Sequence, residues 1–465
     1  MFDLNRLCRP PLLSRVRGLV LLNVLLGMLA GPAQAQPAPQ DSAAVMRLSI
    51  DDALERARDQ SFPVRQADAQ EQAATARKRQ SLGVFLPQVM ARERGVATTD
   101  PVNAFGLTLK QERFTEQDFA VSALNNPDRV DHFATEVEVQ QPILNLDGIF
   151  ERRAAADAVR ASAEQGERTR AVVSFRVKKG YYGLLLAERR IGVIDSALSA
   201  ARANRDQAQA LFEQGIIDKA DRLAADVRVS ELESRRTEAV AARRNAADRL
   251  RFLLGVEASV QVEPTDSLAR ERASVDGLSI GAVNQRRSDM QALRYRADAA
   301  RETVKSRWLA FVPALNAQGT TGWYDDAPLG TKGHSWTIGA SLTWSLFEGY
   351  QQIGKAQEAE ANLQQAEVAL QQQALQNEVE ITAARRDLEA ARQRIEQARR
   401  AVEQAEESLR IRSDRFAEGM ARTTDLLQAE ATLAERRLAA LKALYDHNMA
   451  VYRLELLTEQ SLSGE

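Results

Sequence analysis

Residues 388–405 read LEAARQRIEQARRAVEQA, and residues 184–201 read LLLAERRIGVIDSALSAA. The first stretch places Leu388, Ala391, Ile395, Ala398, Val402 and Ala405 at spacings of three and four. The second does the same with Leu184, Ala187, Ile191, Ile194, Leu198 and Ala201. Both are heptad seams, the pattern by which one helix packs along another. The match runs without a gap over residues 184–254 and 388–458: Gly215 pairs with Gly419, Asp221 with Asp425 and Leu250 with Leu454. A shared, gap-free register over this length means that the chain is built from two equivalent halves.

Composition agrees with long helices. Of 465 residues 44% are apolar and only 5% aromatic, and the chain is rich in Ala, Arg, Glu and Gln. The first 35 residues form a secretory signal peptide: Arg6, Arg9, Arg15 and Arg17 precede a short apolar stretch from Val20 to Ala30, and Ala33-Gln34-Ala35 is a small-x-small cleavage site. A Pro- and Gln-rich stretch makes 36–47 a flexible segment. Cys8, the sole cysteine, leaves with the signal, so stability must come from coils, barrel closure or oligomerisation. The whole chain has a formal charge of −2, and loss of the basic leader makes it more acidic still, which excludes nucleic acid as a natural partner. No apolar run in the mature chain is long enough for a membrane helix, so a membrane span requires strands.

Around the coils the elements repeat. A helix is expected from Leu48 to Arg79, interrupted at Phe62-Pro63 and ended by Leu86-Pro87; its counterpart runs from Ile280 to Trp308 and ends at Val312-Pro313. Strands follow. Trp336, Ile338, Ala340, Leu342 and Trp344 alternate with Thr337, Gly339, Ser341 and Thr343, and Phe133 to Gln141 alternates likewise. Opposing strands begin near Gln88 and Ala314, which makes four strands per chain. Four strands cannot close a membrane barrel, since the smallest need about eight; sharing strands between subunits solves this. Residues 100–131 and 324–334 become loops on one side, the first long enough to fold partly over the barrel mouth. Each second strand leads through Gly148 or Gly349 into a helix, and the proline-free run from Gly349 to Phe416 makes about 100 Å of it. The tips fall at Gly215 and Gly419, and the return helix of the first half closes at Gly255. The units are thus a first repeat over 48–255, a linker over 256–278, a second repeat over 279–458 and a tail over 459–465.

The order of these features, occurring twice, resembles the TolC-like outer-membrane efflux proteins. The resemblance is carried by the Leu86-Pro87 and Val312-Pro313 strand starts, by Pro142-Ile143-Leu144…Gly148 and Leu346-Phe347-Glu348-Gly349, and by Phe212-x-x-Gly215…Asp221 and Phe416-x-x-Gly419…Asp425. It covers residues 46–460. It implies a mainly α fold with a membrane β-barrel part: a homotrimer whose 12-stranded barrel in the outer membrane of a Gram-negative cell continues as an α-helical tunnel into the periplasm. It also implies a channel that meets outer-membrane lipid, a periplasmic adaptor and an inner-membrane pump. No cofactor and no catalysis are implied. In such proteins the tunnel tip is the gate. By position, Asp221 corresponds to a gate acid and Asp425 to an acid of the constriction ring, while Gly215 and Gly419 serve the turn and adaptor contact. Two departures stand out: the tip aromatic is Phe416, which has no hydroxyl, and the basic residue is Arg422, one place later than usual. An Arg422 pair with Asp221 or Asp218 is the expected substitute.

Other classes find little. His132, His334 and His447 have no metal-ligand spacing and are expected to be ordinary surface or loop residues, and nothing groups a histidine with a nucleophile. A periplasmic adaptor would carry one hairpin with lipoyl-like domains, and an exported structural coil would need no Trp336–Trp344 strand.

Overall fold

The computed structural model describes residues 45–274, 279–418 and 420–462. The expected signal peptide at 1–35, residues 36–44, part of the linker at 275–278, Gly419 and residues 463–465 lie outside the described residues.

The chain opens with a short strand, β1 (Val45–Leu48). Then comes α1 (Ile50–Gln60), whose first turn is closed by a capping box in which Ser49 and Asp52 satisfy each other's backbone N–H. α2 (Phe62–Gln80) follows after a break at Ser61, with Pro63 in its first turn where no N–H is needed. It ends in a 3-10 turn at Ser81–Val84, before the Leu86-Pro87 pair. β2 (Gln88–Thr98) leads to two short helices, α3 (Pro101–Lys110) and α4 (Val121–Asn125), and then β3 (Val130–Leu144). α5 (Leu146–Glu213) has 68 residues, about 100 Å, and α6 (Lys219–Leu253) returns along it. β4 (Gln261–Pro264) lies in the connection between the halves.

The second half repeats the pattern. α7 (Ile280–Arg286) and α8 (Ser288–Leu309) are followed by β5 (Ala314–Asp325) and β6 (Gly333–Thr343). α9 (Gln351–Ala417) has 67 residues and α10 (Thr423–Thr458) returns along it. The strands form one antiparallel sheet in the order β2-β3-β5-β6, starting at Gln88 and Ala314 as the sequence indicates.

Four expectations are corrected. Residues 45–48 are not flexible: β1 pairs in parallel with β4, Val45 opposite Gln261 and Leu48 opposite Pro264. The linker segment Gln261 to Pro264 is therefore part of the structured body. The helix expected from Ile280 to Trp308 is broken at Arg287, which is extended (φ −56°, ψ 131°) without any nearby proline. The described part of the tail, Glu459 to Leu462, is docked: the Glu459 carboxylate accepts from Arg168 (3.0 Å) and from the Ser288 N–H (2.8 Å), and Leu462 is buried. Finally, His132 and His447 are buried rather than at the surface.

The main core sits midway along α5 and α9, where the last turns of α6 and α10 reach them. Val177, Tyr181, Leu184, Leu250, Ile381, Leu388, Val451 and Leu454 are fully enclosed there with Ala53 and Ala57 of α1. The seam residues Leu184 and Leu388, and Leu250 and Leu454, occupy matched places in it, so the repeated register is a repeated packing.

Candidate functional site

Three regions are candidates for function: the sheet, the tyrosine belt and the hairpin tips. In the sheet the pairings set which side chains share a face. Val89, Val137, Val139, Ala317, Ile338 and Leu342 fall on one face with Trp336, by the registers of β2 to β6. Trp336, Ile338 and Leu342 are 68, 76 and 68% exposed. The opposite face carries Arg92, Arg94, Glu136, Glu138, Gln318 and Thr337. An apolar outer face with aromatics and a polar inner one is the pattern of a strand between lipid and water. Within the chain, β2 and β6 each have one unpaired edge.

Residues 100–131 cover the far end of the polar face. Phe114 is stacked edge-on between Phe105 and Phe119, at 4.8 and 5.0 Å. The buried Gln111 amide donates to the carbonyls of Asp131 and Asp325, both at 2.9 Å, and meets His132 Nδ1 at 3.1 Å. His132 stacks on Tyr324, and the Lys110 ammonium lies 4.9 Å from that ring's centre. One glutamine thus ties the loop to two strands.

The belt was not legible in the sequence. The Tyr181 hydroxyl, with its single proton, lies within hydrogen-bond reach of Leu48 O (2.9 Å) and Asp266 (2.6 Å), while Tyr182 and Tyr452 both donate to Glu271 Oε1, at 2.9 and 2.5 Å. Asn448 accepts from the Glu271 N–H and donates to Ala269 O. Burial pushes the Tyr182 hydroxyl up to about 12 and the Tyr452 hydroxyl higher, so both remain donors. Burial also lowers His447, which favours the neutral ring. The Tyr181-Tyr182 pair in a chain with few aromatics was the available signal.

At the first tip, Gly215 has φ +72°, a conformation that a side chain would strain. Ile216 N–H reaches Leu211 O at 2.9 Å, the six-residue closure of a Schellman turn. The second tip repeats this closure at the matched positions, Met420 N–H to Arg415 O at 2.8 Å; Gly419 itself lies outside the described residues. Asp218 caps α6 by accepting from the Asp221 N–H at 2.8 Å. Arg422 occupies the cap position of α10, and Asp425, in its first turn, is exposed. The carbonyl of Asp425 accepts from Arg412 at 3.2 Å. Phe416 is buried. Arg222 lies 5.8 Å from the Phe212 ring centre, whereas the matched position in the second half is the buried Leu426. Among the described residues no ion pair within the chain joins Arg422 to Asp218 or Asp221. The structure therefore brings the expected gate residues to the two tips but does not pair them within one subunit. Among the described residues, no three His, Cys, Asp or Glu side chains could hold a metal ion, and no helix is long and apolar enough to cross a membrane.

Comparison with known proteins follows these features. Residues 280–459 match the family model described as Outer membrane efflux protein. Over 239 residues the chain is 23% identical to the Alkaline protease secretion protein AprF of Pseudomonas aeruginosa, a match that spans about half (49%) of each. A membrane protein from Pseudomonas aeruginosa superimposes with a TM-score of 0.77 at 17% identity, over 94% of this chain and 99% of that one. The CmeC outer membrane channel of Campylobacter jejuni gives 0.76 at 16% identity, over 89% of this chain and 86% of that one. The outer membrane protein VceC of Vibrio cholerae gives 0.71 at 19% identity, over 89 and 96%. The family and the fold are those of channels rather than enzymes, and the outer-membrane location is borne out with them. The resemblance to the TolC-like outer-membrane efflux proteins thereby holds: residues 280–459 match the outer membrane efflux family model, and the described chain shares the fold of outer-membrane channels.

Proposed function

We propose that the chain is one third of a trimeric outer-membrane channel, which passively conducts the cargo of a tripartite efflux or type I secretion system. The observation that carries this reading is the four-stranded sheet with a lipid-type face and two open edges. Unpaired backbone groups in hydrocarbon cost several kcal/mol each, so β6 of one copy must meet β2 of the next. Three copies close 12 strands, an even number within the range of membrane barrels. The α5–α6 and α9–α10 hairpins then continue the wall as a tunnel, and a periplasmic adaptor joins its tips to an inner-membrane pump. The similarity to AprF, named for alkaline protease secretion, supports a polypeptide as one class of cargo.

In the gate, Asp425 lines the constriction as a ring of three carboxylates, favouring cations. Asp218 and Asp221 with Arg422 of a neighbouring hairpin form the polar contacts that hold the tips together, Phe416 packs behind them, and Gly215 and Gly419 shape the turns that the adaptor touches. The test is the oligomeric mass of the purified protein in detergent, with single-channel recording in a planar bilayer. A trimer with a small, cation-preferring conductance is expected, and a monomer without conductance would overturn the reading. Asp425→Ala should weaken the cation preference and block by multivalent cations; unchanged selectivity would remove Asp425 from the constriction.

A further inference from the structure

On the face of α5 turned away from the belt, α5, α6 and α10 enclose two adjoining hollows of about 550 and 490 Å³. Helical residues advance by about 100°. Tyr181 and Tyr182 hold the belt, so Lys179, Gly180, Gly183 and Ala187 point the other way. The floor is made of small residues, Gly183, Ala187, Ala242 and Ala246, which let α5 and α6 approach closely and leave α10 standing above them. Leu438 and Leu441 form an apolar wall, and the Tyr445 ring, its hydroxyl donating to Lys179 O at 3.4 Å, joins the two hollows.

The rim is cationic. Arg176, Lys179, Arg190 and Arg249 line it, and among the described residues none of the four has a carboxylate partner. The one acid at the rim, Asp446, is taken by Lys442 at 2.5 Å. Three other arginines of the same helix pair are neutralised: Arg243 with Glu188 (3.0 Å), Arg202 with Glu233 (2.7 Å) and Arg236 with Asp195 (2.6 Å). Three unpaired cations around one hollow, with Arg190 at the adjoining one, make a positive local field that attracts an anion, while the floor and wall favour apolar surface.

We propose that this groove binds an amphiphilic organic anion: an apolar body on the Ala/Gly floor between α5 and α6, with its acidic head among Arg176, Lys179 and Arg249. Taken with the channel reading, on which this part rests, the groove lines the tunnel and holds such cargo in transit, one site per subunit.

The probe is 8-anilinonaphthalene-1-sulfonate, titrated by fluorescence into the purified full-length protein in a nonionic detergent. The uncharged N-phenyl-1-naphthylamine serves as the control of similar apolar body. Saturable binding of the sulfonate is expected. The triple variant Arg176→Gln/Lys179→Gln/Arg249→Gln, all at exposed positions, should weaken it about tenfold. Arg176→Lys/Arg249→Lys should retain it, and Ala242→Leu should weaken it by filling the floor. Equal binding by the wild type and the triple variant would overturn the site, as would equal affinity for the uncharged probe. Channel recording separates the two readings. Conductance without charge-dependent probe binding sinks the groove alone, whereas charge-dependent binding without conductance upholds the groove and removes its place in a tunnel.

Discussion

The two halves break their first helix at equivalent places by different means. Ser61 and Arg287 are separated by 226 residues, the same offset that relates Pro87 to Pro313. In the first half, Pro63 follows the break and suits the first turn of α2. In the second, no proline is near. Arg287 is 1% exposed, donates to Asp289 at 2.5 and 2.9 Å, and reaches the Leu457 carbonyl near the end of α10 at 3.1 Å. One break follows local backbone chemistry, and the other is held by a buried charge that needs a helix remote in sequence. Equivalent geometry can therefore rest on very different sensitivities to substitution.

The largest expected effect follows from that contrast. Arg287→Met removes one member of a buried pair and leaves Asp289 and the Leu457 carbonyl without it, which should lower unfolding stability by about 3 kcal/mol. Pro63→Ala should cost no more than about 0.5 kcal/mol, mostly through the unfolded chain. Denaturant midpoints of both variants in detergent measure the difference, and similar midpoints would break the comparison.

The belt sharpens it further. Tyr452 binds Glu271, but the matched position of the first half is Asp248, which is exposed and paired only with Arg251 one turn on. Tyr452→Phe removes a hydrogen bond to a carboxylate and should cost about 1.5 kcal/mol, while Asp248→Asn should cost close to nothing. Midpoint shifts of equal size at the two positions would show that the belt is not the asymmetric element described.

The smallest effect concerns Glu430 and its counterpart Asp226. Burial raises the Glu430 carboxyl above its ordinary value, with Arg228 and Asn204 pulling the other way. The folded chain thus holds this proton at a higher pH than the unfolded chain does. The contribution is most favourable below about 4.5, the ordinary value, and is lost as pH rises through the folded value. Glu430→Gln should flatten the fall in stability between acidic and neutral pH, while still accepting from Asn204. Asp226, in a long 3.9 Å contact with Arg222 at a half-exposed site, should tolerate Asp226→Asn with little change. A pH–midpoint curve unchanged by Glu430→Gln would place that carboxylate in water.

Residues that act through period and backbone preference could be read directly. The seam from Leu388 to Ala405 and its copy from Leu184 give long paired helices because spacings of three and four place apolar residues on one side. Trp336 to Trp344 gives a strand with a lipid-type face because its period is two, and Pro87 and Pro313 mark strand starts because proline cannot continue a helix. The two tips could be placed from Gly215 and Asp221 and their repeats. The remainder depended on contacts distant in sequence. β1 exists because Val45 to Leu48 lies beside Gln261 to Pro264, and neither stretch has a pattern of its own. The Arg287 break, the Tyr452 bond to Glu271, the Gln111 tie to Asp325 and the docked Glu459 each join residues more than 150 positions apart. No local periodicity reports such a partner. The sequence by itself determined which elements form and how they repeat, because period and backbone conformation are local. Only the tertiary structure decided which polar groups were buried together, because a buried charge or hydroxyl is stable solely where the fold brings it a partner.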